Sequence, residues 1–377
     1  MKMPSPARAD LHKALYVPAA TVSLGAANDD LLRVHGLAVT SVEVDLQLSV
    51  AGTFKFTIPN TFDPARAEFL TAFGKPALNL LKLGTRIWIR MGYGDRSGQS
   101  FLLSGYITNV GTSFSEGSSP DLEVSGQDAL YRLTLGTSEH RLEKKSVQDA
   151  VAKVAADNGF SLRLKGSPPS EVTLDSNHQS DMDFLRKLAA NFSTREKKWE
   201  FFSRADASVD TLHFRPRTMD SEPVGTLKWG ADLLSFRPEA NLGNQVSRLV
   251  VEGWDEVAKK EIVGEARAHG DAIGKAKTAG QIQQSFLSRE VVRKLRLPVK
   301  SKKEADERAE AELANMIADH LKGDGETFGF PELLPDTRVK LDGLGAKFSR
   351  TFYVTKTVHS FNSSGYRTRF SIEEPDS

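Results

Sequence analysis

The most chemistry-bearing cluster in this sequence sits at the start of a helix pattern. Asp181 and Asp183 form an Asp-x-Asp pair, and Asp175 and His178 lie close enough upstream to complete a cation site. Carboxylates in a helix's first turn are also favoured by the helix dipole alone. The dipole reading is adopted, so no metal ligand is assigned.

Two glycine clusters invite a cofactor reading. Gly92-Tyr-Gly94-Asp-Arg-Ser-Gly98 resembles a dinucleotide loop, but its last spacing is one residue too long and a strand pattern follows at Phe101 where a helix is required. It reads as a hairpin turn. Gly323-Asp-Gly325-Glu-Thr-Phe-Gly329 follows a helix instead of opening one, so it cannot offer a helix N-terminus to a phosphate; it reads as a helix stop with a loop. No cofactor is expected.

The eight histidines, at positions 12, 35, 140, 178, 213, 269, 320 and 359, form no His-x-x-x-His pair and have no Gly-x-Ser-x-Gly partner. His213 and His359 fall in strand patterns and read as structural. The absence of cysteine removes disulfides, thiolate metal sites and a cysteine nucleophile, and suits synthesis in a bacterial cytoplasm. Carboxylate pairs remain, since 49 acidic residues could assemble an acid and base in space. A β-rich cell-wall glycan or peptide hydrolase is therefore the alternative function. Its mark would be a deep pocket with two convergent carboxylates roughly 5 to 9 Å apart. No catalytic residue is assigned. A standalone carbohydrate-binding module is a third reading that the β content permits.

Charge is balanced: 50 basic residues against 49 acidic ones give a net charge of +1, which supplies no field for nucleic acid or an anionic membrane. Arg293, Lys294, Arg296, Lys300, Lys302 and Lys303 form a basic run without an acid. It fits a partner's acidic surface and a solvated strand and helix start equally well. No apolar run reaches the ~18 to 20 residues of a membrane span. Ala14 to Ala27 follows Lys2, Arg8 and Lys13, but Pro18 interrupts it, so it reads as a polar tail entering a first strand rather than a signal peptide.

At 377 residues, several packed units must position these groups. Ser41 to Val50 alternates strictly, with Val42, Val44, Leu46, Leu48 and Val50 on one face: a half-buried antiparallel strand. Phe54, Phe56 and Ile58 continue as its hairpin partner. Further strands are expected at Thr85 to Met91, Phe101 to Val110 and Leu122 to Ser125. Ser146 and Ser180, each followed three residues later by Asp, cap helices from Val147 to Asn158 and through Phe184, Leu185 and Leu188. Strands follow at Trp199 to Phe202, Thr211 to Phe214, Leu227 to Phe236 and Arg248 to Trp254. Ala266 to Gly280 reads as a long arm, Lys302 to His320 as a third helix, and Thr337 to Ile372 as two or three closing strands.

Two stretches align without gaps. Tyr106-Ile-Thr-Asn-Val-Gly-Thr-Ser-Phe114 lies over Tyr353-Val-Thr-Lys-Thr-Val-His-Ser-Phe361, and upstream Thr85-Arg-Ile-Trp-Ile89 lies over Thr337-Arg-Val-Lys-Leu341. Collinear matches point to one β unit present twice.

The stretches Val124-Ser-Gly-Gln-Asp128, Ser180-Asp-Met-Asp-Phe-Leu-Arg-Lys-Leu-Ala189, Trp229-Gly-Ala-Asp-Leu-Leu-Ser-Phe236, Val251-Glu-Gly-Trp-Asp255 and Gly329-Phe-Pro-Glu-Leu-Leu-Pro335 come next into view, together with Tyr353-Val-Thr, His359, Gly365 and Tyr366. In order and spacing the chain resembles the phage late control gene D proteins, central hubs of contractile tails related to the N-terminal part of the type VI secretion spike protein, VgrG. That resemblance implies a mainly β fold with α+β insertions: two tube-like antiparallel β-barrel domains separated by a small α/β domain. It divides the chain into 1–137, a first barrel with an N-terminal extension; 138–222, the α/β domain; 223–265 plus 332–377, the second barrel; and 266–331, an inserted arm and helix. It implies a non-enzymatic homotrimer in a virion or phage tail-like particle. Its expected partners are a hexameric inner tube protein, a separate trimeric spike and baseplate wedge proteins.

Overall fold

The computed structural model describes residues 17–375 apart from 27, 118, 142–145, 167–174, 194–196, 207–208, 219–220, 241–245, 256–258, 268–288, 300 and 319–320. Its strands are β1 Pro18–Leu24, β2 Ser41–Gln47, β3 Thr53–Ile58, β4 Phe62–Asp63, β5 Glu68–Phe69, β6 Arg86–Tyr93, β7 Gln99–Thr112, β8 Leu122–Asp128, β9 Ser138–Arg141, β10 Ser161–Leu164, β11 Asp175–Gln179, β12 Trp199–Asp206, β13 Val209–Pro216, β14 Thr226–Lys228, β15 Leu233–Ala240, β16 Arg248–Asp255, β17 Lys260–Arg267, β18 Val292–Arg296, β19 Leu321–Phe328, β20 Arg338–Asp342, β21 Thr351–Asn362 and β22 Gly365–Pro375. The chain is mainly β and mainly antiparallel.

Alternation builds the largest sheet. In β2, Val42, Val44 and Leu46 are buried while Glu43 and Gln47 face out, and β3 pairs beside it with Phe54, Phe56 and Ile58 on the same inner face. Twelve strands join, in the order β1-β6-β7-β8-β3-β2-β21-β22-β19-β15, with β20 also on β21 and β14 on β20. The two ends of this order do not meet. Among the described residues the sheet is open, and the two barrels expected from the resemblance are not seen closed.

Within that sheet the same unit occurs twice. The order β6-β7-β8-β3-β2 is matched by β20-β21-β22-β19-β15, every pairing antiparallel and both sets in the same chain order. Arg86 stands opposite Tyr106, and Arg338 opposite Tyr353. The pairing slips at the same place, between Ile107 and Asn109 in one unit and between Val354 and Lys356 in the other. Because a β-bulge fixes register and re-aims the residues after it, a shared bulge is a stronger sign of duplication than matched residue types. The units meet where β2 pairs with β21, from Val42–Phe361 to Gln47–Lys356.

Gly323, Gly325 and Gly329 do not form the helix stop and loop expected of them. Gly323 and Gly325 lie inside β19, and Gly329 directly follows it. Aromatic rings occupy the space over their Cα atoms: a Cβ on Gly325 would come within 2.4 Å of Phe370 Cζ. Gly126 of β8 receives Phe54 in the same way, at 2.5 Å. The Gly92 cluster is the hairpin turn it resembled, leading from β6 through a short turn at Arg96–Gly98 into β7.

The small α/β unit is a three-stranded sheet, β10-β13-β12, covered by the helices Val147–Asp157 and Asp181–Phe192. Ser146 and Ser180 cap these helices, each accepting from the backbone N–H of the Asp three residues on. Val151, Val154, Leu185, Leu188, Phe201 and Phe214 fill the core between helices and sheet. A further sheet, β17-β16-β18, is covered by the helix Lys302–Ala318 through Ala305, Ala309 and Leu313. Leu227 to Phe236 divides into β14 and β15 at a turn. β16 and β17 pair apart from the large sheet, whereas β19 belongs to it. Of the expected arm, Ala266 and Arg267 end β17, and 268–280 lies outside the described residues.

Candidate functional site

The Asp-x-Asp pair does not converge. Asp181 accepts from Asn158 Nδ2 at 2.6 Å, and Asp183 accepts from Ser180 Oγ at 2.8 Å and from Arg186 at 3.1 Å. Both are consumed in holding helix ends. Part of the basic run meets acids locally: Lys294 reaches Glu252 at 2.6 Å, Lys302 reaches Asp306 at 3.2 Å and Lys303 reaches Glu307 at 3.8 Å. His213 stacks on Phe202, while His359 is fully buried, with Nδ1 against the Tyr366 hydroxyl at 2.8 Å and Nε2 against Leu333 O at 3.1 Å.

The densest polar chemistry lies where the β12–β13 hairpin rests on both repeats. On the first repeat, Asp210 of β13 receives Arg86 at 2.6 Å, Arg132 at 2.9 Å and the Tyr106 hydroxyl at 3.0 Å. On the second, the Tyr353 hydroxyl lies 2.9 Å from both Glu200 of β12 and Asp336. Glu200 is held by Arg217 at 2.6 Å, and Arg217 continues to Glu373 at 2.7 Å, where Lys198 joins at 2.9 Å. Arg215 pairs with Asp336. The two tyrosines of the repeat thus grip the same hairpin.

Burial dominates the electrostatics here. It raises the carboxyls of Glu200 and Asp336, against the pull of Arg217 on the first and Arg215 on the second. Burial also pushes Asp128 up to about 7, although it accepts from the Leu130 N–H and the Ser203 hydroxyl. Glu373 goes the other way: burial would raise it, but Arg217 and Lys198 hold it at about 2.

Two carboxylates converging on one point is the geometry a glycosidase uses. Here the Tyr353 hydroxyl touches both, and the residue is 1% exposed. The sequence offered one signal for this junction: Glu200 stands inside the apolar run Trp199-Glu-Phe-Phe202, where a lone acid needs a buried partner. Nothing local named Arg217, Asp336 or Tyr353 as those partners.

A second feature is an open cleft of about 660 Å³ on the polar face of the sheet, over the seam between repeats. Two of its acids are matched by bases from the other repeat: Asp45 with Lys356 at 2.8 Å and Glu43 with Arg369 at 3.8 Å. Asp324, Glu326 and Arg237 line it as well.

The family model described as the Alg8 N-terminal domain matches residues 37–363. The late control gene D model expected from the motifs is not the one matched. A comparison with curated proteins finds no match. Among solved structures, the chain is similar to the tail protein from Neisseria meningitidis MC58, at 15% identity over 94% of this chain and 97% of that one, with a TM-score of 0.66. It is similar to the 43 kDa tail protein of prophage MuSo2 from Shewanella oneidensis, at 15% identity over 95% and 99%, with a TM-score of 0.67. A third is the E. coli c3393 protein, described as a component of the type VI secretion system with structural similarity to T4 bacteriophage tail proteins gp27 and gp5. It is 13% identical over 94% of this chain and 77% of that one, with a TM-score of 0.54. At these identities the likeness is one of fold. Among the described residues no helix is long and apolar enough to cross a membrane.

Proposed function

The chain belongs to the Alg8 N-terminal domain family, and from its duplicated fold, not from that membership, we propose that it is a non-enzymatic structural hub of a contractile, tail-like injection machine, working as a homotrimer. The observation that carries this reading is the repeated five-strand unit, with its shared order and shared bulge. A tube of hexameric rings needs six similar surfaces to dock on, and three chains with two units each supply six.

In this reading each repeat is one wall element of a tube, open in the single chain and closed only in the ring. The paired charges of the cleft then face the lumen, where matched ions bind little. The proposed units are the first repeat, near 18–137; the α/β unit, near 138–217; the second repeat, 226–240 with 321–375; and an inserted unit between them. The sixfold face takes the tube protein, the threefold face takes a trimeric spike, wedge proteins attach outside, and the assembly sits in a virion or phage tail-like particle. The buried Tyr353 between the convergent carboxylates supports a role without turnover.

Native mass spectrometry of the purified chain tests this: a species of three chains is expected. A stable dimer or a six-copy ring would sink the symmetry argument. Peptidoglycan hydrolysis by the pure chain, lost on changing one carboxylate, would sink the non-enzymatic part.

A further inference from the structure

The two repeats differ at their long strands: one has a neighbour along its far edge and its counterpart, among the described residues, does not. In β21, residues up to Tyr353 pair with β20, and residues 356–361 are then covered on that same edge by β2. In β7, pairing with β6 ends at Tyr106, and among the described residues no strand covers 109–114. These are the positions that match 356–361. Burial follows the difference. Phe114 is 65% exposed, whereas Phe361 is partly buried, and Thr112 is exposed where His359 is fully buried.

The counterpart of β2 is β15, which among the described residues ends the sheet with one edge free. The ladders give the correspondence residue by residue. Val124 and Phe370 match across β8 and β22, so Phe56 matches Gly325 and Val42 matches Phe236. Val42 and Val44 are buried by β21, while Phe236 and Pro238 in the same places are only partly so. Each repeat therefore has a first strand that covers the long strand of the next repeat, and the chain runs out of repeats after one such step.

We propose that β15 of one copy pairs antiparallel with residues 109–114 of β7 in a second copy, in the register that sets Phe236 opposite Phe114 and Glu239 opposite Gly111. This rests on the trimeric hub reading and supplies its interface. The contact is head-to-tail and repeats the step already made inside the chain; a step of one-sixth of a turn closes a ring of three chains. Phe236 covers the exposed Phe114 ring, as Val42 meets Phe361 within the chain. Pro238 stands where Val44 does and lacks an N–H, so its rung carries one bond fewer. The same proline keeps the free edge of an unassembled copy from pairing with arbitrary strands.

The chain has no cysteine, so one engineered pair reports on the register. The Leu48 N–H to Thr355 O bond sets the phase of the β2–β21 ladder. By that phase Glu43–Ser360 is a non-hydrogen-bonded pair, whose Cα separation of about 4.5 Å suits a disulfide. Its counterpart is Arg237–Ser113, both exposed. Oxidised S113C/R237C is expected to run without reductant as a covalent species of three chains, returning to one on reduction. The off-register pair G111C/R237C is expected to stay uncrosslinked. F114D is expected to weaken association at least about tenfold with an unchanged far-UV spectrum. A wild-type trimer whose 113/237 pair fails to crosslink overturns this edge and leaves the trimer standing. A monomeric wild type with no crosslink overturns both. Covalent chains longer than three uphold the edge and overturn the trimer.

Discussion

His359 stands on an inward face of β21, caged by the Tyr366 hydroxyl, Thr368 and Leu333 O. Burial lowers its pKa to about 4 from an ordinary value near 6.5. A depressed histidine contributes stability that is present above its unfolded pKa and is lost as pH falls from 6.5 toward 4, here about 3 kcal/mol. Asp128 has the opposite sign: its carboxyl is raised from 3.8 to about 7, so its contribution is present at low pH and is lost as pH rises across that window. His359→Gln should therefore flatten the rise in melting temperature between pH 4.5 and 6.5, and Asp128→Asn should steepen it. Equal slopes in all three proteins would show that these groups do not control the dependence. The serine caps at 146 and 180 were legible in the sequence because a cap and its target lie three residues apart. The partners of Glu200, Asp210 and Asp336 were not, because they lie 17 to 153 residues away.

Strand alternation was legible wherever one face was buried and the other wet, as in β2. The reading failed in β19, where glycines stand in place of inward side chains. There the inner layer comes from rings on neighbouring strands, Phe236 and Phe370, and a glycine-rich stretch after a helix looks like a loop when those rings are distant in the chain or still to come. Gly325→Ala should cost about 1–3 kcal/mol, because an added methyl must displace the Phe370 ring, and Gly126→Ala at least as much, because its methyl meets the Tyr106 carbonyl as well as the Phe54 ring. Gly111→Ala, with nothing near its Cα, should cost less than about 1 kcal/mol. Denaturant midpoints compare the three, and equal losses would show that the rings do not set the cost.

For the molecule as a whole, the duplication was legible from two short matches, but the way the copies join was not. A repeat predicts a second unit and says nothing of which edges meet; β20 stops at Tyr353, which leaves residues 356–361 of β21 for β2. Because β2 carries the core of the first repeat and the edge of the second, Val44→Ala should raise amide exchange in β7 and β22 together. Faster exchange confined to one repeat would show that the two open separately. The seam also has a mechanical side. The rungs from Val42–Phe361 to Gln47–Lys356 lie side by side, so a pull that slides one repeat along the other loads them all at once instead of peeling them in turn. The β12–β13 hairpin, pinned to one repeat through Asp210 and to the other through Glu200, is a second strut in parallel with that seam. A force that shears the repeats apart has to break both struts before either half can yield.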